Sequence, residues 1–180
     1  TARVWLTLAL GCLAAQLGMV GLLAWGGRAM RPFAPAPREP GKPWPSVAII
    51  VAARDEAWGV EACVRSLLAL DYPALELIAI DDRSTDGTGE ILDRHAAADP
   101  RLRVIHVAAL PPGWLGKNHA QWLGAGQAGG ELLLFTDADI EFAPTALRDA
   151  VSILEAEQLD HLALGPAMTL PGIPLAACIA

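Results

Sequence analysis

The sequence predicts an α/β fold with a mostly parallel sheet and helices on both faces, preceded by one amino-terminal transmembrane helix. Short apolar runs, typical of buried strands, alternate along most of the chain with segments that have the apolar periodicity of a helix. Such β-α-β units imply right-handed crossovers and a doubly wound sheet. Polar clusters follow several of the apolar runs. Because ligands bind beyond the carboxyl ends of the strands in such sheets, these clusters mark the candidate site.

The amino-terminal part is apolar enough to span a membrane. Between Val4 and Trp25 the only polar side chains are Thr7 and Gln16, and about 20 apolar residues cross a bilayer as a helix. A cleaved signal peptide and a buried core helix are the alternatives. More basic residues follow the run than precede it. The positive-inside rule therefore predicts a single-pass protein of the cell (inner) membrane whose following domain is cytoplasmic.

We expect three segments in the chain: the anchor in residues 1–30, a linker in residues 31–45 and a globular domain in residues 46–180. Prolines exclude helix and inner strand from the linker and predict an extended, semi-rigid spacer. They are Pro32, Pro35, Pro37, Pro40, Pro43 and Pro45.

The net charge and the cysteines of the chain indicate which ligands and which cellular compartment suit it. The net charge of −7 argues against binding to a nucleic-acid backbone, and it is consistent with metal-assisted handling of a phosphorylated ligand. Cys12, Cys63 and Cys178 are odd in number and lie in apolar surroundings. They predict buried free thiols and a reducing compartment, without a disulfide framework.

Strands and helices alternate through the predicted globular domain. The run Leu132–Phe135 is expected to be an inner strand buried on both faces. Asp and Thr residues suit capping of the second helix, and proline lies in the first turn of the fourth. We place strands at Val47–Ala52, Leu75–Ile80, Leu102–Val107 and Leu132–Thr136, with a fifth beginning at His161–Leu164. We place helices at Val60–Leu70, Thr85–Ala97, Asn118–Gly126 and Pro144–Ala156.

Two carboxylates, Asp137 and Asp139, follow the fourth predicted strand. In a near-extended backbone this spacing points both side chains to one side, where the like charges repel each other unless a cation joins them. Hard oxygen ligands suit Mg²⁺ or Mn²⁺, which commonly complete their coordination with substrate phosphate oxygens. The alternative is a pair of solvated aspartates in a turn.

Polar residues also follow the first and second strands. Asp82 follows the second strand and is expected at the ligand edge, where a carboxylate can accept hydrogen bonds from a base N–H or a sugar hydroxyl. Ser84 and Asp86 suit helix capping. Arg54 and Glu56 either face the ligand or pair with neighbouring surface charges.

Lys117 is the single lysine of the predicted globular domain, and it lies in a glycine- and proline-bearing loop that leads into a helix. A cation beside a helix amino terminus is suited to a diphosphate. The loop lacks the spacing of a Walker motif. Trp114, in the same loop, either stacks on a ligand or packs the loop. The four histidines, which show no metal-ligand spacing, are interpreted as structural or surface residues: His95, His106, His119 and His161.

The three strand ends resemble those of family 2 glycosyltransferases of the GT-A fold. The matching pieces are Val47–Glu56, Ile80–Thr88 and the Asp-x-Asp segment Phe135–Asp139, and their joint order and spacing make the resemblance specific. It extends from about Ser46 to Leu164. The Gly-Trp-Leu-Gly-Lys-Asn loop further resembles the membrane-anchored branch that includes hopanoid-associated and carotenoid glycosyltransferases. Asp55 stands where the family usually has Asn.

The resemblance implies transfer of a sugar from a nucleotide-diphosphate sugar to an acceptor hydroxyl, with inversion at the anomeric carbon. It implies Mn²⁺ or Mg²⁺ at Asp137 and Asp139, and a lipid or polyprenyl acceptor fits a site beside a membrane. The family's catalytic base lies in an acceptor-binding half, expected beyond Ala180. Six residues are implied to bind the nucleotide sugar: Ala52, Arg54, Glu56, Asp82, Lys117 and Asp137.

Three other classes compete with this interpretation. A receiver-like phosphoacceptor also combines acidic strand ends with a lysine, but its acidic pair follows the first strand. A metal-dependent phosphatase would carry Asp-x-Asp on its first strand, whereas here the motif follows the fourth. A membrane-tethered binding module without catalytic activity is the remaining alternative.

Overall fold

The computed structural model of the chain describes residues 5, 11–22, 31–32, 34–165, 169–170, 173–174 and 178–179. Within these residues the chain forms two compact units, Pro35–Glu157 and the two terminal segments Thr1–Ala34 and Gln158–Ala180. The helices are α1 (11–22), α2 (Val60–Leu68), α3 (Thr88–Ala98), α4 (Gly116–Gln127) and α5 (Ala146–Ala156). The strands are β1 (Arg31–Pro32), β2 (Val47–Ala53), β3 (Leu75–Asp81), β4 (Leu102–His106), β5 (Leu132–Asp137), β6 (Thr169–Leu170), β7 (Ile173–Pro174) and β8 (Cys178–Ile179).

The unit Pro35–Glu157 is built on a four-stranded parallel sheet with the strand order β4-β3-β2-β5. The register pairs Ala53 with Asp81, Ala52 with Asp137, and Asp81 with His106. The polar residues that follow these strands therefore meet at one edge of the sheet, because parallel strands end on the same side.

Apolar side chains cover both faces of this sheet. On one face, alternate residues of β2 such as Ile49 and Val51 pack against Val64 and Leu67 of α2, together with residues of α3 and α5. On the other face, Ile50 of β2 and two isoleucines of β3 pack against α4. The predicted α/β fold, with a parallel sheet and helices on both faces, is confirmed.

Two predictions about strands are wrong. Strand β5 is an edge strand of the described sheet, paired only with β2, and the side chains of Leu133 and Phe135 are 45% and 44% exposed. A continuous apolar run does not reveal how many neighbours a strand has, so it resembled an inner strand. In the predicted fifth strand, His161–Leu164, only Leu164 forms a bridge.

The proline-bearing segment lacks helix and strand from Ala34 to Pro45, as predicted, but it packs on the globular unit from Pro35 onward. The guanidinium of Arg38 lies 4.0 Å from the ring centroid of Trp44, and its Nε donates to Glu155 Oε2 of α5 at 2.8 Å. Trp44 packs edge-on against Tyr72, with 5.4 Å between ring centroids. The compact unit therefore begins before the predicted boundary at Ser46.

In the terminal unit, β1 pairs with β8 and β6 pairs with β7, both antiparallel. No helix among the residues that the structure describes is both long and apolar enough to cross a bilayer. Part of the predicted Val4–Trp25 span, namely residues 4, 6–10 and 23–25, lies outside the described residues. The prediction of a buried thiol holds for Cys63 but is wrong for Cys12, which is exposed. The Cys178 side chain lies outside the description.

Candidate active site

A cleft of about 330 Å³ opens at the carboxyl edge of the sheet. The ends of β2, β3 and β5 and the first turn of α4 supply its walls. Every site residue predicted from the sequence lines this cleft, so the structure brings all seven together, while their binding roles stay predictions. The lining residues are Ala52, Ala53, Arg54, Glu56, Asp82, Gly116, Lys117, Asp137, Ala138 and Asp139.

Hydrogen bonds of side chains join the loop after β2 to the loop after β3. The amide of Asp55 donates to Ser84 Oγ at 3.0 Å, and Asp55 Oδ1 accepts from the Thr85 amide at 2.8 Å. Asp55 has a positive φ of 54°, which is uncommon for a residue other than glycine. The predicted cap role of Ser84 is replaced by this contact between loops. Asp55, at the position where the resembling family usually has Asn, thus shapes the cleft wall.

A second set of hydrogen bonds joins the same loops at the start of α3. Asp86 Oδ1 accepts from the amide of Thr88, the first residue of α3, at 3.1 Å. The N-cap position itself is Gly87 and has no side-chain cap, so Asp86 contacts the helix start from one residue before the cap. Asp86 Oδ2 accepts from the Ala57 amide at 2.9 Å, and Thr88 Oγ1 accepts from the Glu56 amide at 2.9 Å. The backbone around Glu56 is therefore fixed beside the cleft.

Asp82 is 3% exposed, and its carboxylate is held in two places by the neighbouring Arg83. Arg83 Nε donates to Asp82 Oδ1 at 2.8 Å and its Nη2 donates to Asp82 Oδ2 at 3.0 Å. This hydrogen-bonded guanidinium lowers the pKa of the Asp82 carboxyl from its ordinary value, so the group stays ionised to a lower pH than a free aspartate does. Arg83 has a φ of 62°, and a side chain at Gly116 would collide with Asp82 Oδ2. Sequence reasoning assigned no role to Arg83.

A chain of three side chains supports the loop of Asp82 from behind. Asp81 Oδ2 lies 2.9 Å from His106 Nδ1, and His106 Nε2 lies 3.1 Å from Asp93 Oδ1 of α3. Asp81 Oδ1 accepts from the Ser84 amide at 3.1 Å. The hydrogen bond to Asp81, with help from Asp93, raises the pKa of His106 above its ordinary value. His106 of β4 therefore connects β3 and α3 through its two ring nitrogens. This is a structural role, as the sequence analysis predicted for the histidines.

Lys117 lies in the first turn of α4, and its Nζ donates to Asp137 Oδ1 at 2.5 Å. The residue before the helix, Leu115, provides no side-chain cap for the amides of the first turn. The first turn of α4, with the positive end of the helix dipole, therefore lies at the cleft, where Gly116 and Lys117 are lining residues. This arrangement gives an anionic ligand a cation and backbone donors together.

The Asp-x-Asp segment turns at the end of β5. Asp137 is the last residue of the strand, Asp139 lies in the following turn, and Ala138 between them is buried. The thiol of Cys63 donates to the Asp137 carbonyl at 3.6 Å, and burial raises the pKa of this thiol to about 12. Cys63 is therefore a packing residue beneath the segment and stays protonated at neutral pH.

The donor set at this segment fits a divalent cation that shares its coordination with a ligand. The residues that the structure describes hold no group of three or more side chains able to ligate a metal. Asp137 and Asp139 line the open cleft as a pair of hard oxygen donors. Mg²⁺ and Mn²⁺ commonly bind one or two carboxylates and take their other ligands from phosphate oxygens and water, so the two residues present suit either ion.

Trp114 packs within its own loop and helix. Its ring centroid lies 5.4 Å from that of His119 and 5.4 Å from that of Trp122. His119 is buried beneath the two indoles, and its Nδ1 lacks a hydrogen-bond partner among the described residues. The packing interpretation of Trp114 is therefore the one that the structure favours over stacking on a ligand.

Comparison with known proteins places this chain in a family. The model of the family "Glycosyl transferase family 2" matches residues 48–168. The β-monoglucosyldiacylglycerol synthase of Synechocystis sp. is 35% identical over 111 residues, which cover 61% of this chain and 23% of that protein. The 4,4'-diaponeurosporenoate glycosyltransferase of Staphylococcus haemolyticus is 33% identical over 103 residues, covering 56% and 26% respectively.

The fold of this chain is also similar to that of a solved glycosyltransferase structure. The mannosyltransferase PcManGT from Pyrobaculum calidifontis, in complex with GDP-Man and Mn²⁺, superposes with a TM-score of 0.62 at 29% identity. The match covers 81% of this chain and 43% of that structure. The chain belongs to glycosyltransferase family 2. It spans about a quarter of the length of the two curated relatives named above.

Proposed function

We propose that the chain forms the donor-binding part of a glycosyltransferase that moves a sugar from a nucleotide-diphosphate sugar to a lipid-like acceptor. The proposal includes a divalent metal and inversion at the anomeric carbon. One observation carries it: seven residues, chosen from the sequence for these roles, line a single cleft at the carboxyl edge of the sheet.

The nucleoside half of the donor is proposed to lie beside Asp82. Each oxygen of this carboxylate accepts one hydrogen bond from Arg83 and keeps a further lone pair, which can accept from a base N–H or from ribose hydroxyls. Ala52, Arg54 and Glu56 form the adjoining wall, which the hydrogen bonds between the two loops hold in place. A pre-formed wall lowers the entropy cost of ordering side chains on binding.

The diphosphate is proposed to lie between Lys117 and the Asp-x-Asp segment. Lys117 is paired with Asp137, so an arriving phosphate competes with that carboxylate for the ammonium group. Asp137 and Asp139 would hold Mn²⁺ or Mg²⁺, and when bound the ion would offset charge on the departing nucleoside diphosphate. Lys117 and the first turn of α4 would stabilise the same charge from the opposite wall. The Mn²⁺ in the PcManGT complex supports the choice of a divalent ion.

The acceptor is proposed to be a lipid or polyprenyl compound at the cytoplasmic face of a membrane. Two relatives carry names that specify a monoglucosyldiacylglycerol and a diaponeurosporenoate, and a glucosylated diacylglycerol is an amphipathic lipid. The apolar amino-terminal sequence, proposed as a membrane anchor of the cell (inner) membrane, would keep the cleft close to such acceptors.

Calorimetric titration of the chain with UDP-sugars and GDP-sugars, with and without Mn²⁺, tests the donor site. We expect saturable binding that depends on the metal and is lost in Asp139→Asn. Glu141→Gln is the matched control, because Glu141 is an exposed carboxylate two residues away that does not line the cleft. Equal binding by both variants, or binding unaffected by Mn²⁺, would reject the proposed site.

A further inference from the structure

A continuous apolar surface lies beside the cleft and takes no part in the site described above. We call residues 108–115 together with Trp122 the tryptophan surface. Leu115 is 72% exposed, Trp122 is 60% exposed and Trp114 is 39% exposed. Because the rings of Trp114 and Trp122 are in contact, these two exposed side chains form one patch, and Leu115 follows Trp114 directly in the chain. Large contiguous apolar patches on a protein surface mark interaction sites.

The charge of this part of the chain is as distinctive as its apolar character. The whole chain carries 20 aspartates and glutamates, yet none lies between Val107 and Gly130. The loop 108–115 has no charged residue at all, and Lys117 is paired with Asp137 on the side of the cleft. The surface therefore lacks the carboxylates that would repel an anionic layer of phosphate head groups.

The chemistry of the exposed groups selects a lipid bilayer as the partner. Tryptophan has an apolar ring with one N–H donor and is enriched where membrane meets water. Leu115 provides a side chain that can enter the acyl boundary, and Pro111 and Pro112 stiffen the loop that carries it. We infer that the tryptophan surface lies on the bilayer and orients the donor-binding unit.

This contact has a direct consequence for the cleft. Gly116 and Lys117 line the cleft and follow Leu115 without an intervening residue. A bilayer seated on Leu115 would therefore place one wall of the cleft at the level of the lipid head groups. The inference deepens the proposed function, and it depends on that proposal only for the identity of the acceptor.

Depth measurements on the full chain in phosphatidylcholine–phosphatidylglycerol nanodiscs test the inference. Cys12→Ser and Cys178→Ser remove two native thiols, and the buried Cys63 is retained. A nitroxide is attached at Leu115→Cys, or at Ala97→Cys as the control on an exposed position of α3. We expect the Leu115→Cys label to lose collisions with a water-soluble nickel chelate and to gain collisions with oxygen, while the Ala97→Cys label stays accessible to the chelate.

Two results would overturn the inference. One is equal accessibility of the two labels to the nickel chelate. The other is loss of collisions with both the nickel chelate and oxygen at the Leu115→Cys label, since that would indicate a protein contact, such as a second copy of the chain. Donor calorimetry on the unlabelled chain in the same nanodiscs separates the two proposals, because a label at Leu115 adjoins the cleft. A shielded label without donor binding rejects only the donor site, and donor binding with an accessible label rejects only the bilayer contact.

Discussion

Gly124 decides how closely α4 can lie on the sheet, and replacing it by alanine is a direct test of that packing. A methyl group at this position would lie 2.5 Å from Ile50 Cγ2 of β2 and 2.8 Å from Ile80 Cδ1 of β3. The Cγ2 atom is fixed by the Ile50 rotamer in a fully buried strand, so it cannot move aside without backbone displacement. Overpacking of this kind costs about 1–3 kcal/mol of unfolding free energy.

The matched control is Gly126→Ala in the same helix, where the added methyl group meets no atom within 4 Å. Both substitutions gain helix propensity, which is about 1 kcal/mol in a helix interior. The difference between the two variants therefore isolates the steric cost. We expect Gly124→Ala to be less stable than Gly126→Ala by about 1–3 kcal/mol, and its melting temperature to be lower by roughly 3–12 °C.

Urea and thermal unfolding followed by circular dichroism measure this difference. Because α4 also carries Lys117, we expect Gly124→Ala to weaken donor binding, whereas Gly126→Ala should leave it unchanged. Equal stability of the two variants, or a more stable Gly124→Ala, would refute the close packing of α4 on β2 and β3.

Three further predictions concern the cleft and its support. Lys117→Met should weaken binding of a nucleoside diphosphate about tenfold, since a hydrogen bond to a charged group is lost, but leave binding of the nucleoside unchanged in calorimetry. The raised pKa of His106 predicts that the stabilising contact with Asp81 is complete below pH 6.5, its ordinary pKa, and is lost as the pH rises through the folded-state value. Urea midpoints measured from pH 6 upward should show this decline, and His106→Gln should flatten it. Arg83→Gln should raise the pKa of Asp82, so donor affinity measured against falling pH should begin to decrease at a higher pH than in the unaltered chain.

The positions of the strand ends could be predicted from the sequence because they follow from a simple rule. Parallel strands end on one side, so the residues after Ala53, Asp81 and Asp137 had to converge once the β-α-β alternation was recognised. The element boundaries differ by at most a few residues, as for the third helix, expected at Asn118–Gly126 and found at Gly116–Gln127.

Features that depend on contacts between distant parts of the chain could not be predicted in this way. The hydrogen bonds of Asp55 with Ser84 and Thr85 join residues about 30 positions apart, and nothing in either loop alone indicates them. The contact of Arg38 with Glu155 spans 117 positions. The edge position of β5 depends on how many strands surround it, which local hydrophobicity does not encode.

The pairing of Arg83 with Asp82 is a local feature that the sequence does indicate. The guanidinium of Arg83 pairs with the preceding residue, Asp82, and the Arg83 backbone has a positive φ of 62°. An acidic residue at a strand end followed directly by arginine is nevertheless a pattern that could have suggested pairing.

The measurement that tests the central claim most directly is Mn²⁺ uptake followed by electron paramagnetic resonance. Free Mn²⁺ gives a sharp six-line signal that broadens when the ion is bound. We predict that the chain with a nucleoside diphosphate removes this signal beyond what the nucleotide alone removes, that Glu141→Gln does the same, and that Asp139→Asn does not. Equal uptake by Asp139→Asn and Glu141→Gln would contradict the assignment of the Asp-x-Asp segment as the metal site.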